Sequence, residues 1–447
     1  MSSGIATWRS RRETGLRASW WLPLLLLVAS DYKLRRRASD QAISGAADPF
    51  IFLELGIYLA VGCYLLVRLR PTLRNHAVMV WTAGYLLAAA ASTLYAPFPV
   101  FALVRGVQLV IILLALLQFV HDADLAVMRR LLHGYVVLTT ASIAIGLAYV
   151  APQTGEQIGR FTWLFTHSVV AGAMLAASVV MLFGMWLTHR TAGLPWARWA
   201  YGVLLVVHVV ALMQTRTRGS IGSAVVAIVI ITLLWLDAKG ARDLFIAGSV
   251  LVTLIALTAA GPIVTYLLRN SDVEQLISLN RRTDLWALAI EMFAERPLIG
   301  FGFTSTRGLF LERTSLGGAH NAYVNVLVDL GLVGLFWWGG LVVLIVVHVG
   351  RLGRRVRRER GLEVLTFDAL TMTGLMVCML INALTAEYLA AGVGAAAMLL
   401  YLVGAWVVIA GDAADAVVTE RRAVPRAARP PATFQAAPAP APGPSGR

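Results

Sequence analysis

Long apolar runs alternate with short polar connections along the chain. Twelve of these runs reach or approach the roughly 20 residues that a helix needs to cross a bilayer. They cover residues 16–31, 50–67, 77–95, 100–120, 131–150, 162–188, 199–213, 220–236, 244–268, 322–350, 367–384 and 388–410. The first run is the weakest, because it is short and contains Pro23. The pattern predicts an all-α, polytopic integral membrane protein with about twelve transmembrane helices.

The composition supports this prediction and changes how the charge is interpreted. Hydrophobic residues make up 58% of the chain and charged residues 14%, against about 25% charged residues in soluble domains. A net charge of +14 in a soluble chain would suggest a nucleic-acid partner, but cytoplasmic loops of membrane proteins collect Lys and Arg. We therefore expect membrane lipids, and no nucleic acid, among the partners. Cys63 and Cys378 lie inside apolar runs, which excludes a disulfide scaffold and a cysteine metal cluster.

Lys and Arg fall mainly on one side when the runs are threaded alternately through a membrane. The basic cluster 351–360 and the C-terminal tail then face the cytoplasm, as do both termini. The extracytoplasmic side receives residues 269–321, the longest polar connection, between the ninth and tenth helices. Within it, apolar residues at helical spacing over 284–296 predict an amphipathic helix that lies on the membrane or caps the bundle. The basic segment 33–37 also faces outward, against the charge rule.

The chain divides into a membrane domain and a tail. Residues 1–411 form the polytopic domain, which includes the loop 269–321. Residues 412–447 are rich in Ala, Pro and Arg, and residues 436–444 are nearly pure Ala and Pro. Because such a composition cannot bury a core, we expect the tail to be disordered in the cytoplasm.

Several arginines lie at the predicted outer face, where the charge rule does not place them. They are Arg105 inside the fourth run, Arg160 before the sixth, Arg216 and Arg218 in the turn before the eighth, and Arg282 in the long loop. The planar guanidinium can pair two phosphate oxygens at once, and the start of the eighth helix adds a positive dipole end. The set predicts a local site for a diphosphate. The alternative for each arginine is snorkelling to lipid headgroups.

His320 is the candidate for proton transfer. It ends the long loop after a glycine-rich approach, and Asn321 follows it. Imidazole has the side-chain pKa best suited to proton transfer near neutrality, and the amide of Asn321 could orient the imidazole or a substrate. A structural histidine at a helix start is the alternative.

Short motifs follow one another across the long loop and the tenth run. They are Arg282, Trp286, Pro297-Leu298-Ile299-Gly300-Phe301-Gly302, His320-Asn321-Ala322-Tyr323 and Gly331-Leu332-Val333-Gly334. This order resembles the signature region of the O-antigen ligase and O-antigen polymerase family. The resemblance implies an all-helical membrane glycosyltransferase on the extracytoplasmic face of the bacterial inner membrane. It also implies a glycan donor on undecaprenyl diphosphate, and neither a metal, a cofactor nor a nucleotide sugar.

The resemblance also implies roles for individual residues. His320 would be the essential loop histidine and the general base, Arg282 with Arg216 or Arg218 would hold the diphosphate, and Arg105 would be a further arginine of the site. A single displacement without an enzyme nucleophile would invert the anomeric configuration. A ligase would use a saccharide or lipid acceptor in lipopolysaccharide O-antigen or cell-surface polysaccharide biosynthesis. A polymerase would use a second lipid-linked glycan, and the sequence leaves this choice open.

A solute transporter with twelve spans is the alternative from another class. Glu54 and Glu387 are isolated acids in or beside apolar runs and could serve proton coupling. Major-facilitator transporters, however, have their long connection inside, between the sixth and seventh spans. Here that connection, residues 188–198, is short, and the long one follows the ninth run. The loop positions favour the enzyme.

Overall fold

The computed structural model describes residues 20–31, 49–68, 76–148, 159–165, 167–188, 197–258, 282–314, 317–390 and 393–423. Predictions for other positions lie outside the described residues. These include the basic segment 33–37, the first part of the long loop, 269–281, and the end of the tail, 424–447.

The regular structure of the described residues is helical, which confirms the predicted all-α fold there. The helices are α1 (Trp21–Asp31), α2 (Pro49–Arg68), α3 (Ala77–Ala91), α4 (Pro99–Asp122), α5 (Leu125–Ala148), α6 (Ser168–Leu187), α7 (Ala197–Gln214), α8 (Arg218–Ala238), α9 (Arg242–Thr258), α10 (Arg282–Glu295), α11 (Ser305–Thr314), α12 (Ala322–Arg358), α13 (Thr366–Ala383) and α14 (Ala395–Ala423). The amphipathic helix predicted over 284–296 is confirmed as α10.

Nine helices of the described residues are long and apolar enough to cross a membrane, as expected of a multi-pass membrane protein. They are α2 to α6, α8, and α12 to α14. The other three predicted runs correspond to α1, α7 and α9, which have 11, 18 and 17 described residues. Because these three are not among the nine candidate spans, the total of twelve spans stays a prediction.

Small residues on α6 bring the helices around it close together. Nearly every residue of α6 is buried, and it packs against α7, α8 and α13. A Cβ on Gly172 would lie 2.9 Å from the Ser220 Oγ of α8, and one on Gly184 would lie 2.3 Å from the Thr371 Oγ1 of α13. Small interface residues of this kind let membrane helices approach closely. The start of α8 is thereby held beside the start of α6.

The glycine-rich motifs of the long loop and of α12 bind each other through the backbone. Gly331 interrupts α12 with φ 61° and ψ −154°, and the N–H groups of Leu332 and Val333 donate to the carbonyls of Pro297 and Leu298 at 2.8 and 3.0 Å. A Cβ on Gly331 would lie 2.5 Å from the backbone of Leu298. These backbone bonds attach the loop to the break in α12. Glycine is required at position 331 because the two backbones lie closer together than a side chain allows.

Helix α14 continues beyond the predicted membrane domain. It runs to Ala423, so residues 412–423 of the predicted disordered tail are helical. Asp415 accepts a hydrogen bond from Arg355 at 2.8 Å, and Arg421 donates to the carbonyl of Arg360. The domain boundary predicted at residue 412 is too early, because Ala favours helix and these contacts hold the added turns against the end of α12.

Candidate active site

The predicted outer ends of several helices meet the long loop and form one region. The α7–α8 turn, the start of α10, the residues before α12 and the connection from α13 to α14 all contribute to it. Glycines mark where these segments touch. A Cβ on Gly219 would lie 2.0 Å from the Thr385 Oγ1, and a Cβ on Gly318 would lie 2.1 Å from the Glu387 Oε2.

A buried arginine holds the α7–α8 turn in place. Arg160 donates from Nε to the carbonyl of Thr215 and from its guanidinium to the Thr217 hydroxyl, both at 3.1 Å. The Thr217 hydroxyl donates in turn to the Ser168 carbonyl at 3.1 Å, so it makes no cap hydrogen bond to α8. Arg160 thus faces protein groups within the turn, and its predicted contact with substrate stays a prediction.

Arg216 lies within this stabilised turn, and Arg218 directly follows it. Arg216 is exposed and has a φ of 51°, in the left-handed region that side chains other than glycine rarely adopt. Arg218 is half-buried and is the first residue of the 21-residue helix α8. Both side chains therefore lie at the positive end of a helix dipole, where an anion is favoured.

Arg282 brings a further cation to the same place. It is the first residue of α10 and is half-buried. Burial lowers the pKa of Arg282, and the nearby positive charge of Arg218 lowers it further. Arg282 is therefore close enough to Arg218 for the two charges to interact, and its role as a diphosphate ligand stays a prediction. Two neighbouring cations repel each other, so an anion bound between them would relieve that repulsion.

His320 lies in a strained turn that neighbouring residues hold in place. Its φ is 51°, and it is half-buried. The Trp286 indole donates to the Ala319 carbonyl at 3.0 Å, and the Asn325 side chain accepts from the Ala319 N–H at 3.3 Å. The imidazole of His320 makes no hydrogen bond to any residue that the structure describes. The backbone is thus fixed while the ring is available to a substrate.

Asn321 serves as the cap of α12. Its side-chain oxygen accepts hydrogen bonds from the N–H groups of Tyr323 and Val324 at 3.0 and 3.3 Å, and the residue is buried. The sequence predicts that this amide orients His320 or a substrate, and that role stays a prediction. The structure shows that it also caps α12, which fixes the start of this helix directly after His320.

Left-handed backbone outside glycine is concentrated in the outer region. Among the described residues it occurs at Trp163, Arg216, Thr304 and His320. The predicted topology places the last three in outer connections and Trp163 at the outer end of the sixth run. Such strain is rare and gathers at functional sites. Two of the four positions are the predicted diphosphate ligand Arg216 and the predicted base His320.

Arg105 lies in different surroundings. Its guanidinium pairs with the Glu54 carboxylate at 3.3 Å and donates to the Gln108 side chain at 2.8 Å. Its helix α4 packs against α2, α3 and α14, whereas α8 packs against α6, α7, α9 and α13. The structure therefore does not bring Arg105 together with the other candidate arginines through direct helix packing. Its membership of the diphosphate site stays a prediction.

Two site residues were not found from the sequence. Asn325 donates to the Glu387 carboxylate at 3.3 Å, and this carboxylate lies against Gly318. Asn325 follows Asn321 by four residues, so the helical period could have placed both amides on one face of α12. For Glu387, the sequence showed only an isolated acid beside an apolar run, which does not identify its partner.

The class of protein is thus an all-helical, multi-pass membrane protein with a cluster of arginines beside a strained histidine. A comparison with family models adds that residues 203–339 match the family described as O-Antigen ligase. This segment contains the α7–α8 turn, α10, and His320 with its turn. The resemblance of this segment to the O-antigen ligase and O-antigen polymerase family, seen in the sequence, is confirmed by this match. No curated protein matches the chain.

Proposed function

We propose that this protein is a glycosyltransferase of the O-antigen ligase type. It transfers a glycan from undecaprenyl diphosphate to a saccharide or lipid acceptor on the extracytoplasmic face of the bacterial inner membrane. One observation carries the proposal: the neighbouring cations Arg218 and Arg282 and the strained His320 occur together in the segment that matches the O-antigen ligase family.

The arginines bind the diphosphate of the donor. Arg218 and Arg282 approach from the start of α8 and the start of α10, and Arg216 extends from the adjoining turn. A guanidinium pairs with two phosphate oxygens at once and keeps its charge at any physiological pH. These cations also stabilise the negative charge that develops on the diphosphate as it leaves. The proposed mechanism therefore uses neither a metal nor a cofactor.

His320 acts as the general base in a single displacement. The acceptor hydroxyl oxygen attacks the anomeric carbon, and the hydroxyl proton passes to the imidazole. The bond between the anomeric carbon and the diphosphate oxygen breaks, and its electron pair leaves with undecaprenyl diphosphate. Because attack and departure occur on opposite faces of the carbon, the anomeric configuration is inverted.

The two acids on which the transporter alternative depends both have partners within the protein. Glu54 is buried and pairs with Arg105, and Gln108 also donates to it at 2.8 Å. Glu387 accepts from Asn325 at the outer region. Both acids have protein partners that explain their positions without proton coupling.

Transfer in a reconstituted membrane tests the proposal directly. Purified protein in liposomes receives a lipid-linked glycan, an acceptor and EDTA, and the products are separated by mass. We expect a glycosylated acceptor with inverted configuration and free undecaprenyl diphosphate in equal amounts. Absence of transfer across both saccharide and lipid-linked acceptors, with the protein shown to be folded, would reject the proposal.

The orientation of the site requires a separate test. In a Cys63→Ser, Cys378→Ser background, cysteine is introduced at exposed Glu312 on α11 or at exposed Arg354 near the end of α12. An impermeant thiol reagent added outside intact cells should label the first variant and leave the second unlabelled. The opposite pattern would place the site on the cytoplasmic side.

A further inference from the structure

One short connection touches both halves of the candidate site. Between α13 and α14, Thr385 lies against Gly219, the neighbour of Arg218. Two residues later, Glu387 lies against Gly318, which precedes His320 by two residues. The distance between the arginine end and the histidine turn therefore depends on how this connection is placed.

The contact at Glu387 is specific in shape and in hydrogen bonding. Gly318 has a φ of 144°, and a Cβ there would lie 2.1 Å from the Glu387 Oε2. The same oxygen accepts from the Asn325 Nδ2 at 3.3 Å, while the Asn325 Oδ1 accepts from the Ala319 N–H at 3.3 Å. The carboxylate thus supports the histidine turn directly through Gly318 and indirectly through the Asn325 amide.

We propose that Glu387 is a positioning residue for His320. This inference rests on the proposed function, in which His320 receives the acceptor proton. Asn325 fixes the backbone at Ala319 only if its amide keeps one orientation, and the Glu387 oxygen selects that orientation because it accepts from the NH₂ group. His320, with its left-handed backbone, comes directly after Ala319. A displacement of this turn would therefore move the imidazole of His320, the proposed proton acceptor, and would leave the arginines in place.

Substitution of Glu387 tests this role by separating transfer from donor binding. Glu387→Ala should lower the transfer rate by about tenfold to a hundredfold, the scale of a small misplacement of a catalytic group, while donor affinity stays within about twofold. Glu387→Gln keeps an oxygen that accepts from Asn325, so it should restore the rate to within about threefold of wild type. The control is Glu312→Ala, an exposed acid of α11, which should leave both quantities unchanged.

Two results would overturn the inference. The first is a Glu387→Gln variant as slow as Glu387→Ala, because the carboxylate charge and not its hydrogen bond would then be required. The second is a Glu387→Ala variant with the wild-type rate while His320→Ala is inactive. If His320→Ala is itself fully active, the base assignment in the proposed function fails instead.

A double-mutant cycle provides a readout that does not depend on transfer. Gly318→Ala should lower the thermal midpoint in detergent, because its methyl group meets the Glu387 oxygen and its backbone is strained. Adding Glu387→Ala removes the steric part, so the double variant should be more stable than the sum of the two single effects predicts. Additive effects would show that the two residues do not touch and would overturn the inference.

Discussion

Arg105 and Arg282 illustrate two ways in which this membrane protein holds an arginine. Arg105 lies between α2 and α4, where its side chain is 16% exposed and pairs with Glu54, which is 7% exposed. Arg282 lies at the outer region, where the neighbouring charge that shifts its pKa is the like charge of Arg218. A carboxylate neutralises the charge of Arg105 within the fold, whereas Arg218 and Arg282 repel each other, which fits the anion site of the proposed function.

The same contrast extends to the opposite end of the bundle. Arg129 of α5 donates to both oxygens of the buried Asp368, at 3.2 and 2.5 Å, and the Trp406 indole donates to the same carboxylate at 3.0 Å. The Asp368 carboxylate thus joins α5, α13 and α14. Arg129 resembles Arg105, because each pairs with a carboxylate. Arg282 differs from both, because the neighbouring charge that shifts its pKa is another cation.

The largest effect should come from His320, which forms no ion pair with any residue that the structure describes. His320→Ala should lower glycan transfer by about a hundredfold to ten-thousandfold, the range for a positioned acid or base, with donor binding retained. His320→Gln keeps a donor and an acceptor but takes up no proton near neutral pH. Transfer by the Gln variant close to wild type would leave His320 with a positioning role only.

Removing the clustered cations should lower activity. Arg218→Ala and Arg282→Ala should each reduce transfer by about tenfold to more than a hundredfold, because a hydrogen bond to a charged group contributes roughly 1.5 to 3 kcal/mol. Arg282→Lys should also be impaired, since it loses the two-pronged geometry. Transfer rates and thermal midpoints are measured together. Full activity in both Ala variants would end the diphosphate assignment.

The matched cation should behave in the opposite way. Arg105→Ala removes the positive charge that pairs with the buried Glu54, so it should lower the free energy of unfolding by roughly 3 to 5 kcal/mol. The double variant Arg105→Met, Glu54→Leu should recover most of that loss. Thermal denaturation in detergent measures both. A stable Arg105→Ala protein that fails to bind donor would instead support the role that the family resemblance implies for Arg105.

The smallest effect should be found at Asn321. Asn321→Ala removes the cap of α12 and should cost about 1 kcal/mol of stability, with the transfer rate within about threefold of wild type. Asn321→Asp keeps a capping oxygen and should restore the stability. A much larger loss of transfer in the Ala variant, without loss of stability, would favour the predicted contact with substrate.

The sequence predicted the positions of the long helices more completely than the roles of the residues in the candidate site. Apolar runs located the long helices, because burial in lipid demands about the same length of apolar sequence everywhere. The helix α10 was also predictable from its periodicity. The end of α14 was not, since its last turns depend on Asp415 and Arg421 reaching α12.

The roles of single polar residues needed the structure. The sequence placed Arg105, Arg160 and Arg282 at one face and could not separate them. Arg160 is distinguished by its bonds to the α7–α8 turn, and Arg105 by Glu54, which lies 51 positions away along the chain. Such pairings arise from helix packing, which a pattern of residue types along one chain does not specify.

The break in α12 at Gly331 also constrains how chimeras of this protein can be made. From Gly331 to Arg358 the helix is about 40 Å long at 1.5 Å per residue, more than the ~30 Å hydrocarbon layer. The backbone bonds from Leu332 and Val333 to Pro297 and Leu298 fix the loop to that helix. Loop and helix break consequently form one structural module, so a chimera must inherit both from the same parent to keep these backbone bonds and the placement of the loop.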